Sequence, residues 1–208
     1  MTSTPQEPSR RGRYHHGDLR SALIRTGFDL LAKSGPAAFS VAQVARELGV
    51  STAAPYRHFP DRAHLLAAVA TQAAIELAAE VERAAEQAGP DPAERFAATA
   101  GAYVRFAGTR GAGFSVIFAT ELRALHDEAL AAAGRHLMDL LLDLAHEATG
   151  RGVEDSLHLL EQHIAVAHGF VALHADGFFS RQQHTVEHLA EQAVEASRTL
   201  LRGLAAPR

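Results

Sequence analysis

From Asp18 onward, apolar residues recur at helical steps. Leu19, Leu23, Gly27, Leu30 and Leu31 fall three and four apart, and Gly35-Pro36 ends the run. Ser40 is a suitable N-cap, with Gln43 three residues on at the capping-box spacing. Val41, Val44, Ala45 and Leu48 form the apolar face behind it, and Gly49 supplies the break. Ser51 caps a further short helix to about His58. Within it, Pro55 removes a backbone donor and crowds the Ser51 carbonyl, so a distorted or partly 3-10 first turn is expected. Phe59-Pro60-Asp61 makes a corner before a long amphipathic helix, Arg62 to about Gln87. Beyond Gly89-Pro90-Asp91-Pro92 the pattern predicts helices over Ala93–Gly108, Phe114–Leu125, Asp127–Thr149, Val153–Asp176 and Arg181–Leu204. No stretch alternates with period two, so the expected fold is all-α. Its plan is a three-helix head with a helix-turn-helix, joined by the long fourth helix to a C-terminal bundle.

Composition narrows the chemistry. Apolar residues make up 47% and charged residues 21% of 208, which excludes general disorder. With no cysteine there is no disulfide, thiolate nucleophile or Cys-type zinc site. The first twenty residues carry charge with no apolar core behind it, unlike a secretory signal. The apolar run Leu65–Ala85 is broken by Glu76, Glu80, Glu82 and Arg83, unlike a membrane span. No membrane association is expected, and a cytoplasmic location is. The charge is divided: residues 1–68 hold nine basic and five acidic side chains, net +4, while residues 69–208 net −8. A basic head on an acidic body suits nucleic acid at one end. The expected organisation is a disordered basic arm over 1–12, a head over 13–70 and a larger helical domain over 71–208, to which the resemblance described below gives a regulatory and dimerisation role.

Residues 40–58 are the most informative. Two short capped segments flank the turn Leu48-Gly49-Val50, the spacing of a helix-turn-helix in which the second segment enters the DNA major groove. Its outward side would be Thr52, Ala53, Ala54, Tyr56, Arg57 and His58, small residues first and donors after. An ordinary helical hairpin would share this spacing.

The stretch from Arg11 to Ala70 resembles the N-terminal domain of the tetracycline-repressor (TetR) family of bacterial regulators. The resemblance rests on Leu48-Gly49-Val50-Ser51, on Tyr56-Arg57-His58-Phe59-Pro60-Asp61-Arg62 and on Leu65-Leu66. It implies that Ser40, Tyr56, His58 and Arg62 meet phosphates and that Thr52, Ala53 and Ala54 face bases. Arg57 would take the backbone or a base edge, and Ser51 joins the DNA-facing set. Arg62 stands where the family usually has lysine. The arm with Arg11 and Arg13 would enter the adjacent minor groove, followed by Tyr14 and His15.

The resemblance further implies a homodimer on a pseudo-palindromic double-stranded operator, formed through the last two helices. The candidate interface is Leu160, Ile164, Ala167 and Val171 with Val186, Ala190, Ala193, Val194 and Leu200. Both stripes could equally be core within one subunit. The opening Tyr14-His15-His16-Gly17-Asp18-Leu19 and His168-Gly169 resemble a subgroup with a Trp-His-Gly signature, although Ile164 stands at the tryptophan position. An apolar effector would occupy a cavity in the C-terminal bundle. Its candidate lining is Phe96, Tyr103, Phe106, Phe114, Phe118, Leu122, Met138, Leu141, Phe170 and His174, together with Ile117 and Leu137. The expected function is a ligand-responsive regulator, most naturally a repressor.

Two other classes bear weighing. Nine of 13 histidines lie beyond residue 120, and His184 and His188 stand four apart on one helix face, so a metal-sensing regulator is the alternative. A helical-bundle enzyme would need Glu-x-x-His pairs. The nearest cases, Glu154/His158, Glu161/His163 and Glu187/His188, have other spacings. Neither a catalytic residue nor a cofactor or bound metal is expected.

Overall fold

The computed structural model describes residues 16–111, 116, 122, 124–179 and 184–205, and all regular structure among them is helical. The helices are α1 (His16–Ala38), α2 (Val41–Glu47), α3 (Arg62–Gln87), α4 (Pro92–Arg110), α5 (Glu128–Thr149), α6 (Val153–Ala175) and α7 (Val186–Ala205). A single 3-10 turn, Pro55–Arg57, lies between α2 and α3.

Local chemistry accounts for most boundaries. The non-helical dihedrals of Gly35 (φ 71°, ψ 173°) kink α1 at the expected stop. Ser40 Oγ accepts from the Gln43 N–H at 3.2 Å and starts α2. Asp61, Asp91 and Asp127 cap α3, α4 and α5 through the N–H groups of His64, Ala93 and Leu130. One expected helix is untested and one boundary differs from expectation. The helix expected over Phe114–Leu125 lies largely outside the described residues. The last helix begins at Val186, not Arg181, because Thr185 serves as its cap: its hydroxyl accepts from the His188 N–H and its carbonyl from the Leu189 N–H, both at 3.1 Å.

Two apolar cores form. The first gathers Leu23, Leu30 and Leu31 of α1 with Val41 and Val44 of α2, Phe39, Phe59, and Leu65, Leu66 and Val69 of α3. The second gathers Leu77 and Val81 of α3 with Phe96, Tyr103 and Val104 of α4, Leu137 and Leu141 of α5, Leu159 and Leu160 of α6 and Leu189 of α7. Helix α3 feeds both cores, its N-terminal half in one and its C-terminal half in the other; at 1.5 Å per residue it spans about 39 Å. By length and apolar content α3 would pass for a membrane span, but 56% of that apolar window is buried inside the protein. Helix α4 is the hub of the second core, buried nearly all round from Phe96 to Ala107. It lies close against α7. A Cβ on Gly101 would come within 2.9 Å of Val194 Cγ2, and one on Gly108 within 2.6 Å of Val186 Cγ1.

Candidate nucleic-acid interface and buried cavity

The turn after α2 is fixed by backbone hydrogen bonds. The Val50 N–H donates to the Ala45 carbonyl and the Gly49 N–H to that of Arg46, both at 3.0 Å, a Schellman pair with Gly49 at φ 66°. The chain then reverses into Ser51. Pro55 reshapes the next segment more than its missing donor alone implies. In place of a helix to His58 with a distorted first turn, only the 3-10 turn remains. With no proline N–H to offer, the Ser51 carbonyl takes the Ala54 N–H at 2.9 Å, while Ser51 Oγ accepts from Ala53. The His58 and Phe59 N–H groups both close on the Pro55 carbonyl at 2.9 Å. Ala54 and His58 keep right-handed dihedrals, and the Pro55 ring is buried.

The outcome is an anchored segment with polar side chains outward. Ser51, Thr52, Ala53, Tyr56 and Arg57 are exposed, and Ser40, Ala54 and His58 are half-buried. Tyr56 is 53% exposed, unusual for an aromatic ring beside an available core. Arg62 has work within the protein: its Nε donates to the Phe39 carbonyl at 3.1 Å and its guanidinium lies 5.7 Å from the Phe39 ring centre. It thereby ties the start of α3 to the corner between α1 and α2. Arg11, Arg13, Tyr14 and His15 lie outside the described residues.

A cavity of about 50 Å³ opens inside the second core. It is lined by Leu77 and Val81 of α3, Thr99 and Tyr103 of α4, Leu137, Met138 and Leu141 of α5, and His163, Ile164 and Ala167 of α6. Its polar atoms belong to a hydrogen-bonded chain. Thr99 Oγ1 donates to the Phe96 carbonyl at 2.8 Å, so toward His163 Nε2, 2.9 Å away, it accepts. That places the imidazole proton on Nε2, and Nδ1 accepts from Ser197 Oγ at 2.8 Å. The chain links α7, α6 and α4. Burial holds the His163 pKa down at about 4, so the ring is neutral near pH 7. The phenol of Tyr103, raised above its ordinary range by burial, hydrogen-bonds His168 Nδ1 at 2.8 Å.

Of the expected lining residues, Tyr103, Leu137, Met138 and Leu141 face the cavity. Phe96 is buried behind it, its ring 4.2 Å from that of His163. Leu122 packs into the first core instead. Phe106 faces a separate open groove of about 490 Å³ between α3 and α4, whose charged walls are ion-paired: Arg110 with Glu76, Glu80 with Arg83, Arg105 with Glu187. Phe170 packs on Phe179, and His174 is half-buried near the end of α6, outside the lining. Phe114, Ile117 and Phe118 lie outside the described residues. Leu77, Val81, Thr99 and His163 were not foreseen there. The available signal was a threonine and a histidine on otherwise apolar helical stripes.

The interface stripes are largely covered within the single chain. Leu160, Ala167, Ala190 and Ala193 are at most 1% exposed within the single chain. Val186 and Val194 press on Gly108 and Gly101 of α4, and Leu200 packs against the same core. The α7 stripe is therefore the face that binds α4. On α6, Ile164 lines the cavity and Val171 is half-buried.

Residues 23–69 match the family model of bacterial regulatory proteins of the tetR family, and residues 96–197 match that of the tetracyclin repressor-like C-terminal domain. The chain belongs to the TetR family. Members are transcriptional regulators, and the second model covers most of the helices that build the cavity. A protein of unknown function from Rhodococcus sp. RHA1 is 36% identical, with a TM-score of 0.78 over 93% of this chain and 99% of that one. A transcriptional regulator from the same Rhodococcus strain (22% identity, TM-score 0.66, 88% and 96% covered) shares the fold. So does the TetR family transcriptional regulator PfmR of Thermus thermophilus (20%, 0.61, 86% and 97%). Among curated proteins there is no match. These likenesses support the TetR family and do not extend to the Trp-His-Gly subgroup.

The histidine pair suggested by sequence does meet. The His184 and His188 rings stand edge-on at 4.4 Å, and His184 Nδ1 is buried without a hydrogen-bond partner. Among the described residues no group of three or more candidate metal ligands gathers.

Proposed function

We propose that this TetR-family regulator is a cytoplasmic homodimeric repressor, binding a pseudo-palindromic operator through its first core and releasing it when a small-molecule effector fills the cavity of the second. One observation carries the reading. The proline-anchored turn presents Thr52, Ala53, Tyr56 and Arg57 outward from a basic head, at one end of the helix whose other end walls the cavity. Thr52 and Ala53 are the base-reading pair, small enough for close approach. Ser40, Ser51, Tyr56 and Arg57 suit phosphates, which fix register without reading sequence. One short segment contacts too few base pairs for useful affinity, which favours a two-fold dimer. With the inner stripes committed to the subunit core, the surface left for a partner is the outer side of α6 and α7. There Leu157 of α6 is 43% exposed, while Gln192, Ala196, Thr199 and Gly203 of α7 are small or polar.

The test is selection from a random double-stranded DNA pool by the full chain. The expected product is an inverted repeat whose half-sites lie about one helical turn, ~34 Å, apart. Enrichment of no motif, or of a single unpaired one, would refute the dimeric operator.

A further inference from the structure

The cavity's walls specify what can fill it. Among the described residues nothing ionised lines it: they contribute no Asp, Glu, Lys or Arg. The polar groups of Thr99 and His163 are used among themselves, from Ser197 through the imidazole to the Phe96 carbonyl. A carboxylate or ammonium entering here would find no counter-charge, and would stay buried and unpaired.

Size is the second constraint. The cavity measures about 50 Å³, whereas an apolar cavity that admits benzene is nearer ~150 Å³. A wall must move. Leu77 and Val81 are 2% and 1% exposed on α3, and the Thr99–His163 wall is pinned by hydrogen bonds. Met138 differs: it lines the cavity yet is 44% exposed, and its unbranched thioether side chain can swing toward solvent without uncovering a polar group.

We infer that the cavity takes a small, neutral, apolar guest of about the size of a single aromatic ring, admitted by displacement of Met138. This rests on the effector reading above and deepens it. The guest's affinity comes from apolar burial alone, and Met138 is both its door and its lid.

The chain contains two methionines, Met1 and Met138, so [13C-methyl]methionine labelling puts one reporter on the gate and a second at the first residue of the chain. Titration of the full chain with toluene is expected to shift the Met138 methyl resonance saturably and leave that of Met1 in place. Benzoate, its charged counterpart, should bind at least about tenfold more weakly. Ala167→Leu, which fills the cavity from α6, should abolish the toluene response. Should that variant not fold, the toluene–benzoate pair on the native sequence decides the matter alone. No Met138 shift with toluene, or equal affinity for benzoate, overturns the inference. DNA binding is measured separately. A protein that binds its operator but ignores toluene refutes the guest and leaves the regulator; one that binds toluene but no operator does the reverse.

Discussion

Pro55 and His163 each decide how a site is shaped, through a donor that is missing or a donor that is used. Pro55 is buried and cannot close on Ser51, so the segment after α2 coils tightly and turns Tyr56 and Arg57 outward. The missing N–H was legible in the sequence, but the number of turns lost depended on how Ala54 and Phe59 took over the spare carbonyls. His163 is bonded on both nitrogens and 3% exposed. Its folded pKa of about 4 lies below the 6.5 of an exposed histidine. Above pH 6.5 both folded and unfolded chains leave it neutral. Below that the unfolded chain takes up a proton that the folded one refuses, so stability falls as pH drops from about 6.5 toward about 4. The loss is of order 3 kcal/mol. Thermal unfolding against pH should show this slope, and His163→Gln should remove it. An identical slope in the variant would assign it elsewhere.

At the scale of elements, helix existence was readable and helix orientation was not. Capping residues and apolar spacing gave α2, α3, α5 and α6 nearly to the residue, because those signals are local. Which neighbour a stripe faces is a tertiary matter. Val186, Ala190, Ala193 and Val194 form a sound amphipathic stripe, and either a second copy or α4 could have covered it. Gly101 and Gly108 decide for α4 by letting α7 come close. Likewise His163 and Ala167 fall on one α6 stripe, yet only the arrangement of four helices shows that they border a cavity. The remaining outer face of α6 makes a specific prediction. Leu157→Arg should convert the dimer to a monomer with unchanged helical content, read by sedimentation and circular dichroism. A variant that stays dimeric would move the interface off that face.

For the whole molecule, the cavity walls Leu77 and Val81 lie 15 and 19 residues along α3 from Arg62 at its head end. A second connection lies at the end of α4. The Arg110 guanidinium sits 4.9 Å from the ring centre of Phe28 on α1 and 5.7 Å from that of Phe106, while pairing with Glu76 on α3. One side chain thus touches α1, α3 and α4. Arg110→Ala should leave operator binding and guest binding each intact, but reduce the guest's effect on operator affinity by about three- to tenfold. Unchanged coupling would mean that α3 alone carries the signal. The most direct test of the account is fluorescence anisotropy of the full chain on its selected operator and on a scrambled duplex, across a salt series, with Arg57→Ala in parallel. The account predicts saturable binding that prefers the operator, and a log affinity–log salt slope that flattens by about one per subunit in the variant. Equal affinity for both duplexes, or an unaltered slope without Arg57, would contradict it.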